Sequence, residues 1–158
     1  MVARLHRFGV TLMACFTFGM DHDTPESIMR TAQFVIDAKI DLPRFAIVTP
    51  FPGTALHHRM QQEGRILTRN WELYDGQHVV FQPARMTVTE LQVAHERAWQ
   101  YAYRFNAIAR RVFGSGIQIP LSLAANLGYR FYAYHLHDFY NCDWIIGQQP
   151  ALPRLQAA

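Results

Sequence analysis

The stretch Phe45-Ala46-Ile47-Val48-Thr49-Pro50-Phe51-Pro52-Gly53-Thr54 decides the fold. Its first half is a short apolar run of the kind that forms a buried strand. Its second half holds Pro50 and Pro52, which fit neither a helix interior nor a central strand. Pro52-Gly53 is turn chemistry, with proline setting φ and glycine free to take positive φ. A strand therefore ends here, the chain turns, and a helix restarts with Thr54 as its cap. In α/β proteins ligands bind where strands end and helices begin, so this turn marks a ligand rim.

The residues upstream complete a unit. Val10 to Phe18 is apolar and β-rich, with the composition of a strand buried on both faces, and Gly19 ends it. Thr24 then suits an N-cap and Pro25 the first helical position, with Asp21, Asp23 and Glu26 favourable at the positive helix end. Ile28, Ala32, Val35 and Ile36 form one apolar stripe. Asp41 to Pro43 breaks that helix, and a strand follows from Arg44 to Thr49. The second helix runs from Thr54 to Glu63 and stops at Gly64. This order predicts an α/β fold with two adjacent parallel strands and helices on one face. Two parallel strands do not make a stable sheet alone, so something else must complete it.

Beyond Gly64 the character changes. Trp71 to Phe81 reads as loop, with Asp75-Gly76 as a turn and His78 to Phe81 as a short strand. Thr87 and Glu90 form a capping box. The stripe Leu91, Ala98, Phe105 and Val112 predicts one long helix from Val88 to Val112, closed at Gly114. A last helix is expected from Pro120 to Asn141, before a loose tail from Gln148.

With 158 residues, half of them hydrophobic and 17% charged, the chain can bury a core, which excludes a disordered class. A net charge of +3 is too mild and scattered for nucleic acid; the tight basic pair is Arg110-Arg111, suited to a helix C-terminus. Cys15 and Cys142 lie far apart and outside any CxxC pattern, which fits reduced thiols in the cytoplasm. No apolar run approaches the ~20 residues of a transmembrane helix.

An ordered series of words carries a family resemblance: Phe18-Gly19-Met20-Asp21-His22-Asp23-Thr24-Pro25-Glu26, Ile47 through Thr54, Glu63-Gly64-Arg65-Ile66, Trp71-Glu72-Leu73-Tyr74-Asp75-Gly76, and His78 through Pro83. From about Phe8 to Arg111 the chain closely resembles the C-terminal half of cobalamin-binding (B12-dependent) radical S-adenosylmethionine proteins. The look-alikes include anaerobic magnesium-protoporphyrin cyclase and hopanoid-modifying enzymes. The resemblance implies a cobalamin-binding Rossmann-like domain, a partial TIM-type barrel of six βα units, and a C-terminal extension. In that family a CxxxCxxC loop holds a [4Fe–4S] cluster, S-adenosylmethionine chelates its remaining iron, and reductive cleavage yields a 5′-deoxyadenosyl radical.

This chain has no CxxxCxxC and no room for a cobalamin domain. The resemblance therefore implies a C-terminal piece. Residues 1–66 correspond to the last two βα units of the incomplete barrel, 67–147 to a mainly helical extension, and 148–158 to the tail. Alone it should bind no cluster, cleave no S-adenosylmethionine, bind no cobalamin and be catalytically silent. Its implied partners are an N-terminal half-barrel carrying CxxxCxxC and the small-molecule substrate of the parent enzyme. A non-catalytic interaction module with the same βα architecture is the alternative.

By position in the resembled barrel, Phe18 and Gly19 at one strand end, and Val48, Thr49 and Pro50 at the other, would line the S-adenosylmethionine pocket. Plain strand termination explains the same residues. Asp21, His22, Asp23 and Glu26 are read as capping and dipole complementation rather than acid–base chemistry, and His57-His58 as a solvated pair rather than a metal site. Trp71, Tyr74, Trp99, Tyr101 and Tyr103 read as core, with stacking on a large substrate as the competing use. No residue is assigned a catalytic or metal-binding role.

Overall fold

A computed structural model describes residues 1–136. A short helix α1 (Val2–Arg7) leads into strand β1 (Met13–Phe18), helix α2 (Pro25–Asp37), strand β2 (Leu42–Ile47) and helix α3 (Ala55–Gln62). A 3₁₀ turn (Trp71–Leu73) and helices α4 (Val88–Ala102), α5 (Phe105–Ser115) and α6 (Ile119–Tyr134) follow. The expected continuation of the last helix to Asn141, the tail from Gln148, and Cys142 lie outside the described residues.

β1 and β2 pair in parallel, from Met13 opposite Leu42 to Phe18 opposite Ile47, with α2 as the crossover. The α/β order and the parallel pair are as the sequence predicts, with shifted bounds. β1 begins at Met13, not Val10, because Gly9 at φ +72 and the bond from Val10 N to Leu5 O keep the chain closing α1. β2 begins at Leu42, whose N–H bonds Leu12 O, and ends at Ile47.

The sheet is one-sided. Phe16, Phe18, Phe45 and Ile47 face the helices, and the Phe45 ring meets Trp99 of α4 edge-on at 5.5 Å. Met13, Cys15, Thr17 and Arg44 are exposed on the other face. The apolar composition of β1 thus does not mean burial on both faces, since among the described residues no layer covers the second one.

The two sheet edges differ. Along the outer edge of β2, Tyr103 Oη donates to Pro43 O at 2.7 Å, Arg111 and Asn126 donate to Asp41 O at 2.7 and 3.1 Å, and Ile47 N donates to Gly76 O at 2.6 Å. Pro43 has no N–H to leave unpaired there. Along the outer edge of β1, the outward main-chain groups of Met13, Cys15 and Thr17 meet no partner among the described residues.

The expected long helix is two helices. α4 ends at Ala102, Tyr103 caps it, and Arg104 takes extended φ, ψ of −66° and 151° before α5 starts. The break persists because its carbonyls are captured: Arg111 donates to Ala102 O and Arg130 to Tyr103 O, both at 2.9 Å. Leu91, Ala98 and Val112 are buried as expected, but Phe105 is 65% exposed, because α5 takes a new direction and buries Ala107, Ile108, Arg111 and Val112 instead. The helix stop is Gly116, at φ +69, not Gly114. Arg111 is no surface dipole partner: it is fully buried, bonded to Ile40 O, Asp41 O and Ala102 O, and only Arg110 stays outside, paired with Asp37. The expected strand from His78 to Phe81 reduces to a single antiparallel bridge between Ile66 and Phe81.

One core runs through both parts of the chain, from Phe18 to Leu136. Trp99 lies at its centre, stacked on Tyr103 at 5.6 Å and on Tyr129 at 6.2 Å. His95 is buried beside it and accepts from Trp99 Nε1 at 3.2 Å.

Candidate functional site

The carboxyl ends of β1 and β2 lie side by side, tied by Val48 N donating to Phe18 O at 2.8 Å. This brings together the residues that the sequence placed at a ligand rim. Phe18, Val48 and Pro50 are buried; Thr49 is half-buried, its hydroxyl donating to Ile47 O at 3.1 Å.

Gly19 sits at φ +97. A Cβ there would fall 2.9 Å from Leu91 Cδ2 and 3.1 Å from Phe81 Cζ, so in this chain the close approach to Gly19 is made by α4 and the segment before it. Asp23 accepts from Gly19 N at 3.0 Å and Met20 N at 2.9 Å, holding the backbone just past the strand end. Thr24 and Ser27 form the capping box of α2. The expected capping and dipole role holds for Glu26 in the first turn of α2, whereas Asp23 ties the loop backbone, His22 is exposed, and Asp21 turns away to pair with Arg59 and Arg65.

At the second strand end, Thr54 N donates to Phe51 O across Pro52 and Gly53, the latter at φ +82, as a proline–glycine turn requires. The Thr54 hydroxyl accepts from His57 N at 3.2 Å and caps α3. The neighbouring His58 is exposed. The turn lifts Phe51 to the rim, where its ring and that of Trp71 flank Tyr74 at 6.4 and 4.9 Å. Tyr74 is buried and donates to Thr68 O, and burial raises its pKa. Trp71 is 54% exposed and does not belong to the core, whereas Trp99 and Tyr103 do and Tyr101 is half-buried.

Three features of this end were not legible in the sequence. Asp21 bonds Arg59 at 2.6 Å and Arg65 at 2.9 Å, and Glu63 also holds Arg65, so the loop after β1 is clamped to α3 and the segment just past it. The bonds from Arg65 and then Arg59 hold the Asp21 carboxyl below its ordinary pKa. Phe51 joins the aromatic rim. Asp75 bonds His78 Nδ1 at 2.9 Å; burial pushes the Asp75 pKa up, but His78 and the Gln77 amide outweigh it and hold it low. The adjacency Glu63-Gly64-Arg65 was visible, but its pairing with Asp21 spans 44 residues and has no local signal.

The polar groups of the rim are mostly bonded to one another, so what it offers is the exposed rings of Phe51 and Trp71. Among the described residues no three His, Cys, Asp or Glu side chains gather as a metal site. The chain has two cysteines, of which Cys15 lies on the open face of β1, so its residues do not fit a three-thiolate [4Fe–4S] site.

Residues 54–141 match the family described as a domain of unknown function, DUF4070. The chain is similar to bacteriochlorophyllide d C-12(1)-methyltransferase of Chlorobaculum tepidum, 30% identical over 113 residues that make up 72% of this chain and 24% of that protein. It is 31% identical to bacteriochlorophyllide d C-8(2)-methyltransferase of the same organism over 65% of this chain and 23% of that protein. An uncharacterised methyltransferase of Pyrococcus horikoshii is 34% identical over 43% of this chain and 15% of its own. The chain spans about a quarter of the length of the first two relatives and less of the third.

Proposed function

The chain belongs to the DUF4070 family, and we propose that it is the C-terminal part of a radical S-adenosylmethionine enzyme of methyltransferase type. Residues 1–66 supply the last two βα units of a partial TIM-type barrel, residues 67–147 a mainly helical extension, and 148–158 a tail. The observation that carries this reading is the asymmetry of the sheet. The outer edge of β2 is terminated by Tyr103, Arg111, Asn126 and Gly76, while the outer edge of β1 and one sheet face are open. A strand sequence that ends at β2 and continues beyond β1 satisfies both edges. The methyltransferase names of the relatives, and the fraction of their length matched, support the same reading.

In this reading Phe18, Gly19, Val48, Thr49 and Pro50 line the S-adenosylmethionine side of the complete barrel, in an enzyme of the cytoplasm. The iron–sulfur cluster belongs to an N-terminal half-barrel carrying CxxxCxxC, as does cobalamin to a separate domain. The three-thiolate cluster does not fit the residues of this chain. The exposed Phe51 and Trp71 rings beside the rim suit a flat, largely apolar small-molecule substrate. No helix of the described residues is long and apolar enough to cross a membrane.

The test is anaerobic reconstitution with iron and sulfide, of the chain alone and of the chain co-expressed with an N-terminal half bearing CxxxCxxC. Iron content and 5′-deoxyadenosine are measured. Cluster and cleavage should appear only with both halves. A stoichiometric cluster and cofactor cleavage by the chain alone would overturn the proposal.

A further inference from the structure

Away from the strand ends, a shallow, open depression of about 340 Å³ lies where α2, α4 and α6 meet, lined by Met29, Arg97, Gln100, Tyr101, Arg104 and Tyr134. Of its two lining arginines, Arg97 is exposed and Arg104 is held by a ring rather than by a carboxylate, as is the neighbouring Arg130. The Arg104 guanidinium lies over Tyr101 at 3.8 Å, and Arg130 lies over Phe105 at 3.8 Å and Tyr134 at 4.4 Å. Among the described residues no acidic side chain pairs with Arg97, Arg104 or Arg130 within 4.0 Å, and Arg104 Nε has no acceptor. By contrast Arg59, Arg65 and Arg110 all have carboxylate partners.

Stacking leaves the edge of a guanidinium available for a forked bond to a carboxylate. Tyr101 is itself fixed, through its hydroxyl bond to Gln33 of α2. Phe105, at 65% exposure, and Tyr134, at 45%, extend the surface with uncovered ring area. Exposed Phe105 and Tyr134 rings together with Arg and a half-buried Met29 are the composition of protein-interface centres.

We propose that this depression is a docking groove for an acidic segment of a partner protein that carries carboxylates interleaved with aromatic side chains. Charge complementarity selects the occupant, since Arg97 and Arg104 line the depression without a carboxylate partner among the described residues. The uncovered rings of Phe105 and Tyr134 beside the arginines select a segment that also carries apolar side chains over a free phosphate. The groove lies on the helix layer and its use is independent of the radical-enzyme reading, since it involves neither strand ends nor cofactor.

The test uses the full chain and a short fluorescent peptide alternating aspartate with tyrosine, with asparagine replacing aspartate as the control peptide. Fluorescence anisotropy should show saturable binding of the acidic peptide only. The Arg97→Gln, Arg104→Gln double variant should weaken it by about tenfold or more, and Arg110→Gln, outside the groove, should leave it unchanged. Arg97→Gln alone, at an exposed helix position, should show part of the loss with an unchanged melting temperature, which separates lost contacts from lost fold. Failure of the wild-type chain to bind, equal binding of the asparagine peptide, or equal loss in Arg110→Gln would overturn the proposal. So would arginine-dependent sedimentation with phosphatidylserine vesicles without peptide binding, or an arginine-dependent dimer seen by ultracentrifugation in its place.

Discussion

Lowering the pH from neutral should destabilise this protein through His95. His95 is fully buried beside Trp99. The indole N–H of Trp99 can only donate, so Nε2 of His95 must be the unprotonated acceptor of that 3.2 Å bond. Adding a proton would oppose two donors and place a charge in the core. Burial accordingly pushes the His95 pKa down to about 4, and the Phe45 carbonyl 3.4 Å away, which acts in the other direction, is outweighed. The sign follows from linkage. Between pH 4 and the unfolded value of about 6.5, the unfolded chain binds the proton and the folded chain does not. Stability is therefore full above about pH 6.5 and falls as the pH drops towards 4.

A folded pKa of about 4 and an unfolded one of about 6.5 give a loss of roughly 2 kcal/mol between about pH 7.5 and pH 5. Urea unfolding followed by tryptophan fluorescence at those two pH values measures it. His95→Gln keeps an acceptor for Trp99 but does not titrate, so its stability should change by about 2 kcal/mol less over the same interval. Asp21, Asp75, Glu26 and Glu90 all have lowered pKa values and act only below this window. If wild type and His95→Gln lost stability in parallel, the assignment of His95 as a buried neutral acceptor would be wrong.

The same denaturation assay checks three substitutions. Arg111→Met removes three buried bonds to Ile40, Asp41 and Ala102 carbonyls and should cost about 3–5 kcal/mol, whereas Arg110→Ala, which breaks an exposed pair with Asp37, should cost at most about 1 kcal/mol; equal effects would refute the buried fork. Gly19→Ala forces a Cβ against Leu91 and Phe81 at positive φ and should cost about 2–4 kcal/mol from crowding and backbone strain; a neutral result would mean the strand end is looser than described. Leu91→Ala should cost about 2–5 kcal/mol, while Phe105→Asp, on an exposed ring, should stay within about 1 kcal/mol; the reverse order would restore the single long helix.

What the sequence made legible was whatever a local rule encodes. The parallel pair followed from apolar runs bounded by Gly19 and by Pro50-Phe51-Pro52-Gly53, and the caps Thr24, Thr54 and Thr87 all carry the bonds their helices need. What remained hidden was non-local. The break between α4 and α5 has no glycine or proline at Tyr103-Arg104; it is held by Arg111 and Arg130, which approach from other turns of the chain. The apolar stripe through Phe105 therefore looked continuous. At the strand ends the sequence identified which residues gather, but the clamp of Asp21 by Arg59 and Arg65 joins segments that periodicity cannot connect. α1 was invisible because it is six residues long and none of them is fully buried, with Val2, Leu5 and His6 only half-buried, too short a stripe to read as a helix.

The sheet edges carry information that the motifs do not. Exposed edges attract other strands, and stable proteins cover or charge them. In this chain the covering is selective. Pro43 has no edge donor, its carbonyl is taken by Tyr103, the Asp41 carbonyl is taken by Arg111 and Asn126, and the Ile47 amide is taken by Gly76. Every one of these partners comes from residues beyond the strands, so the segment after α3 is built to end a sheet at β2. Nothing equivalent protects Met13, Cys15 and Thr17 among the described residues, and the face they share with Arg44 is exposed. A module of two isolated strands would need both edges managed. A sheet that ends at β2 and is continued past β1 needs only one, and that is the pattern of bonds this chain has.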